Sequence, residues 1–162
     1  MTHASPARRT AAEQAKLDAA LKQLFEEQIT FNQVLGLKVI EIGPAGPVLR
    51  FEMRPELVGH YLYGRLHGGV ISATLDAMGG LALMWAIGEK HADEPMMQVM
   101  HRFVRLGTID LRVDYLRQGI GRHFVASAEV LRIGGRVGTT QMRLVNEEGT
   151  LIATAAAAYM LS

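Results

Sequence analysis

The sequence predicts an α+β domain in which an antiparallel sheet of five to six strands accompanies one long apolar helix and an extra N-terminal helix. Three observations carry that reading. An amphipathic repeat lies near the N-terminus, an apolar run of helical length sits mid-chain, and alternating or β-branched segments are closed by glycine-rich turns. With 162 residues, 49% of them hydrophobic, the chain is long enough for one domain with a real core.

Residues 1–9, small, polar and interrupted by Pro6, are expected to be disordered, so the domain runs over 10–162. From Ala11 to about Asn32, Leu17, Leu21, Leu24, Phe25 and Ile29 recur at helical intervals, with Glu13, Lys16, Lys22, Glu26 and Glu27 opposite. This amphipathic helix is expected to pack on the body of the protein. GLKVIEIG and PVLRFEM, separated by the turn from Gly43 to Pro47, read as a hairpin, and Arg54 to Leu66 reads as a loop. A long helix follows from Gly68 to about Lys90, then a polar connection with a short helix around Met96 to His101.

Four strands complete the chain: TIDLRVDYLR, HFVASAEVLRI, RVGTTQMRLVN and TLIATAAAAYML. The last is alanine-rich and helical by propensity alone. The turn Asn146-Glu147-Glu148-Gly149 before it assigns it to a strand.

Composition removes several functions. A net charge of +1, with both signs interspersed, argues against a general nucleic-acid binder. Without cysteine there is no disulfide, thiolate zinc site or cysteine nucleophile. The six histidines show no close metal-ligand spacing and no GxSxG is present, so neither a metal site nor a serine triad is expected. The N-terminus lacks the apolar core of a secretory signal, and the run Ala77 to Gly88 is short for a bilayer span. A cytoplasmic protein without a cofactor and without stable membrane insertion is the expectation.

Asp76 is the informative residue. Between Arg65 and Glu89 it is the sole Asp, Glu, Lys or Arg, on a helix otherwise fit for a core. Gly69, Ser72, Ala73, Gly79, Gly80 and Leu83 accompany it on the helix, while Ile71, Leu75, Met78, Ala82 and Trp85 form an opposing stripe for the sheet. Mid-helix glycines cost about 1 kcal/mol each relative to alanine. Something therefore approaches this face closely, a partner backbone or a ligand chain. The alternative is tight helix–sheet packing with Asp76 satisfied by a buried hydrogen bond.

Nine residues before Asp76, His67-Gly68-Gly69 opens the helix, where free amides can receive a developing negative charge. The Gly68 amide and Asp76 stand roughly 12 Å apart along the axis, too far to share one carbonyl. A second copy running antiparallel would bring its Asp76 beside this Gly68. The expectation is an obligate homodimer with composite sites, alone or paired into a tetramer.

These residues resemble the PaaI-like hotdog-fold acyl-CoA thioesterases, in which a curved antiparallel sheet wraps one long central helix. The likeness lies in Gly64-Arg65-Leu66-His67-Gly68-Gly69 with its spaced Asp76. It continues in GTIDLRVDYLRQG and in NEEG followed by IATAAAAYM, which look particularly like the YigI-type medium/long-chain acyl-CoA thioesterases. The resemblance implies an acyl-CoA substrate of medium or long chain, hydrolysed to acid and CoA.

It also implies roles. The Gly68 amide would polarise the thioester carbonyl, and Asp76 of the other subunit would act as general base or as nucleophile. Thr108 would orient water or serve as a plain strand threonine, and His67 would fix the helix-start turn. Gly69 and Ser72 are expected near the substrate. So is Tyr61, which stands where relatives often carry an asparagine. Arg132, Gly135 and Arg136, at a hairpin turn, are candidate contacts for the CoA nucleotide, or a solvated tip. Met78, Met84, Met96, Met97 and Met100 are candidates for an acyl tunnel. Two rivals remain on the same fold: a hydroxyacyl-thioester dehydratase, and a non-catalytic acyl-CoA sensor.

Overall fold

The structure is a computed structural model that describes residues 8–161. The N-terminal helix α1 spans Ala11–Gln23, opened by a capping box between Thr10 and Glu13. The expected single helix to Asn32 is interrupted. Leu24–Gln28 forms a π turn, Ile29 takes an extended backbone (φ −83°, ψ 96°), and α2 restarts over Thr30–Leu35. The physical reason is competition for the helix carbonyls by the side chains of Asn32 and Gln33. Asn32 Nδ2 donates to the Phe25 carbonyl at 3.1 Å and Gln33 Nε2 donates to that of Glu27, satisfying groups the break would orphan. Gly36, at φ +72°, closes α2 in the left-handed region.

Strands β1 (Lys38–Gly43) and β2 (Gly46–Glu52) form the expected hairpin. The stretch read as a loop instead holds a 3₁₀ turn, Pro55–Leu57, and a small ribbon of β3 (Val58–His60) with β4 (Arg65–Leu66). Gly59 permits it, because a Cβ there would lie 2.4 Å from the His67 Cα. Helix α3 (Gly68–Lys90) follows, then α4 (Met96–Arg102). The remaining strands are β5 (Gly107–Tyr115), β6 (His123–Ile133), β7 (Val137–Asn146) and β8 (Leu151–Met160). The alanine-rich segment is therefore a strand, paired on both sides despite its helical propensity.

The six-stranded sheet has the order β1-β2-β6-β7-β8-β5, antiparallel throughout, and its inner face wraps α3. Leu75, Met78, Leu81 and Leu83 of that helix are fully buried. Each contributes about 1.5–3 kcal/mol by leaving water. By length and composition α3 could cross a bilayer, but here most of it is buried against the chain's own sheet.

Of the stretch expected to be disordered, residues 1–7 lie outside the described residues, whereas Arg9 is fixed. Its guanidinium donates to the carbonyls of Gly88 (2.7 Å) and His91 (2.6 Å), tying the start of α1 to the end of α3. These are carbonyls a helix terminus leaves unpaired.

Gly79 marks the tightest helix–sheet contact. A Cβ there would sit 2.2 Å from the Tyr159 hydroxyl and 2.8 Å from Thr140 Oγ1. Gly79→Ala gains about 1 kcal/mol of helix propensity but incurs an overpacking cost of about 1–3 kcal/mol and displaces a buried hydroxyl worth about 1 kcal/mol more. The expected result is a net loss of stability, read as a Tm lower by several degrees in a thermal melt.

Candidate active site

Two recesses lie along α3, one at its start and one two turns on. At the start, His67 is the N-cap, and its Nδ1 accepts from the Gly69 amide at 2.9 Å. The amides of Val70 and Ile71 turn back to the His67 carbonyl. The Gly68 amide has no protein partner among the described residues. Tyr115, at the end of β5, steadies the same residue by donating its phenol to the Gly68 carbonyl at 3.2 Å. A cleft of about 560 Å³ opens here, with Arg65, His67, Gly68, Tyr115 and Arg117 on its walls. It offers a free N–H at the positive end of a long helix.

The second recess surrounds Asp76, which is half-buried. Its Oδ1 accepts from the Thr108 hydroxyl at 2.8 Å, and its backbone carbonyl accepts from the Tyr159 hydroxyl at 2.9 Å. Burial pushes the Tyr159 phenol above its ordinary pKa, and the neighbouring Asp76 carboxylate pushes it further, so it remains a donor. Thr108 reaches Asp76 because β5 carries a bulge. Thr108 pairs with Tyr159 and Asp110 with Ala158, leaving Ile109 unmatched. Plain alternation would have turned Thr108 outward with Asp110 and Arg112; the extra residue re-aims it at the helix. The cavity around this carboxylate measures about 300 Å³ and shares no wall residue with the Gly68 cleft.

The chain thus holds a free helix-start amide and a half-buried carboxylate that border separate recesses. Both stand at β5, the unpaired edge of the sheet: Thr108 near its beginning and Tyr115 at its end.

The family model of the thioesterase superfamily matches residues 63–153, which span the Gly68 start, Asp76 and the strands around them. The chain belongs to the thioesterase superfamily. Two curated relatives, each called medium/long-chain acyl-CoA thioesterase YigI, are similar over 86% of this chain and 90% of their own. The protein of Salmonella typhimurium is 38% identical and that of Escherichia coli K12 is 37% identical. A crystal structure from Shewanella oneidensis, described as related to the thioesterase superfamily, superposes with a TM-score of 0.87 at 34% identity. It covers 95% of this chain and all of that one.

Other residues of this thioesterase fall in varied places. Gly69 is consumed by the His67 cap, and the Ser72 hydroxyl donates back to the Gly69 carbonyl at 3.1 Å. Tyr61 is 87% exposed, stacks on His60 with ring centres 5.6 Å apart, and borders neither recess. Arg132, Gly135 and Arg136 lie at the β6–β7 turn, where Val137 pairs with Met160 and Met160 with Gly107. That is the Asp76 end of β5, although these residues line neither recess.

Of the five methionines offered for a tunnel, Met84 borders the Asp76 cavity, whereas Met78 is plain core. Sequence reasoning missed Tyr115 and Tyr159, and it missed Phe25, Ile29 and Phe31, which wall the Asp76 cavity. For Tyr159 a signal existed: it is the bulky inward-facing position at the end of an otherwise alanine strand.

Proposed function

We propose that this thioesterase hydrolyses medium- to long-chain acyl-CoA at two composite sites of a two-fold dimer. One observation carries the reading. The unpaired β5 edge holds the Asp76–Thr108 pair near one end and the Gly68–Tyr115 pair at the other. An antiparallel copy on that edge exchanges the ends and sets each carboxylate beside the other chain's amide. The edge also exposes Ile109 (59%), Tyr115 (55%) and Leu116 (50%), an apolar strip on an open strand that calls for cover.

In the composite site the Gly68 amide donates to the thioester oxygen and strengthens its bond as that oxygen becomes an anion. Asp76 then works by one of two routes. As a base it takes a proton from water while the hydroxide adds to the carbonyl carbon, and collapse expels the CoA thiolate, which is protonated. As a nucleophile its carboxylate displaces the thiolate to give an anhydride, which water splits to the acid and the free aspartate.

Thr108 orients the attacking carboxylate or the water through its 2.8 Å bond. Arg132 and Arg136, exposed at the Asp76 end, suit the phosphates of the nucleotide. The chain-length class follows the names of the curated relatives, and a cytoplasmic location belongs to the same reading.

The dehydratase rival would rest on His67, whose Nδ1 is engaged as the helix cap, in a chain whose family is that of the thioesterases. Thiol release over a panel of acyl-CoA chain lengths tests the assignment. Turnover should favour medium and long chains over acetyl-CoA, and absence of thiol release from every member refutes it. Thr108→Val keeps the strand shape and deletes a hydrogen bond to a charged group worth about 1.5–3 kcal/mol. In the same assay kcat should fall roughly tenfold to a hundredfold with the fold intact by circular dichroism.

A further inference from the structure

We infer that the N-terminal helical segment is the acyl-chain selector of this thioesterase, with Gly80 holding open the floor of the channel it covers. The inference rests on the proposed hydrolysis at Asp76 and deepens it. From that carboxylate the cavity follows α3 past Gly80 to Met84, roughly 12 Å at 1.5 Å per residue. Its roof is Phe25, Ile29 and Phe31, from the π turn, the break and the start of α2.

That break has a geometric effect. An uninterrupted helix would keep Ile29 on the face of Phe25 but carry Phe31, six residues on, to the far side. The extended backbone at Ile29 instead resets the chain so that Phe31 meets the same cavity as Phe25 and Ile29. The π turn itself faces the Asp76 cavity through Phe25.

Gly80 supplies the second, independent observation. Its neighbour Gly79 is required by the protomer itself, because Tyr159 fills the space. At Gly80 a Cβ would meet a single atom, Leu106 Cδ2, at 3.8 Å, which is ordinary contact. The helix therefore accepts a glycine costing about 1 kcal/mol where its own chain asks for none. The vacant room adjoins Asp76, is walled by apolar side chains, and continues the line a thioester's alkyl tail would take. An unbranched apolar acyl chain fits it. Phe31, 58% exposed, stands at the rim, where it can cover the outer methylenes.

The test is the ratio of kcat/KM for dodecanoyl-CoA over butanoyl-CoA in two variants of the full chain. Gly80→Leu blocks the floor, and the ratio should fall at least about tenfold, since a methylene gained or lost in an apolar pocket is worth 10–200-fold. Phe31→Ala alters an exposed rim residue and keeps the assay decisive if Gly80→Leu does not fold. It should lower the same ratio severalfold, through KM for the longer substrate.

A ratio within twofold of wild type in folded protein overturns the inference. So does a Gly80→Leu protein that dissociates in sedimentation while its ratio is unchanged, because the room at Gly80 would then belong to a partner helix. Failure of the wild-type enzyme to release thiol from either substrate is a separate result, which removes the proposed function itself.

Discussion

Replacing Asp76 with alanine lowers kcat on acyl-CoA by about 10²–10⁴-fold, the range that loss of a positioned base or nucleophile produces. Among the described residues the carboxylate is the sole titratable group bordering its cavity apart from the Tyr159 phenol, whose pKa is raised. No nearby side chain can take over. Binding should persist, because the cavity walls and the Gly68 cleft are untouched. Calorimetric titration with a non-hydrolysable acyl-CoA ether is therefore expected to give a Kd within a few-fold of wild type. Asp76→Asn is the companion: it preserves the acceptor for Thr108 and the shape of the helix face, and should be as inactive. Undiminished thiol release in both variants defeats the assignment of Asp76 as the reacting carboxylate.

The second large effect tests the sharing of sites. Gly68 is the first helical residue, and His67 before it already has φ −66° and ψ 137°, the extended backbone proline demands of its predecessor. Gly68→Pro thus deletes the free amide while respecting the helix start, and a Cβ there meets the Tyr115 ring at an ordinary 3.5 Å. Loss of one oxyanion donor should cost about 10²–10³ in kcat.

Mixed with Asp76→Ala after unfolding and refolding together, this inactive variant should restore activity. Half of the dimers formed are mixed, and each has one site with both lesions and one with neither. The expected recovery is about a quarter of wild type. If each site drew both groups from one chain, every site would keep a lesion and the mixture would stay inactive.

Much of this was legible in the sequence for identifiable reasons. A lone carboxylate in an apolar run, nine residues after His67, marks α3 and the two candidate groups because burial makes such an acid costly. Alternation and turn residues locate the six strands of the main sheet, and the turn at Asn146 to Gly149 overrides the helical propensity of the alanine strand.

What escaped depends on register and on partners distant in sequence. The Ile109 bulge decides whether Thr108 faces the helix, yet β5 alternates smoothly enough to hide it. The break at Ile29 leaves the apolar spacing looking like one helix, because the carbonyls it frees are met by the side chains of Asn32 and Gln33. The roles of Tyr115 and Tyr159 rest on hydrogen bonds to Gly68 and Asp76, 47 and 83 residues away in sequence, which no local pattern reports.

The match to the family model begins at residue 63, downstream of Phe25, Ile29 and Phe31. In the proposed reading, the reacting groups and the roof over the acyl tail are thus encoded on separate lengths of one gene. Grafting a foreign leader as far as Leu35 onto this catalytic body would exchange the preferred tail length in a single recombination, with Asp76 and Gly68 left as they were.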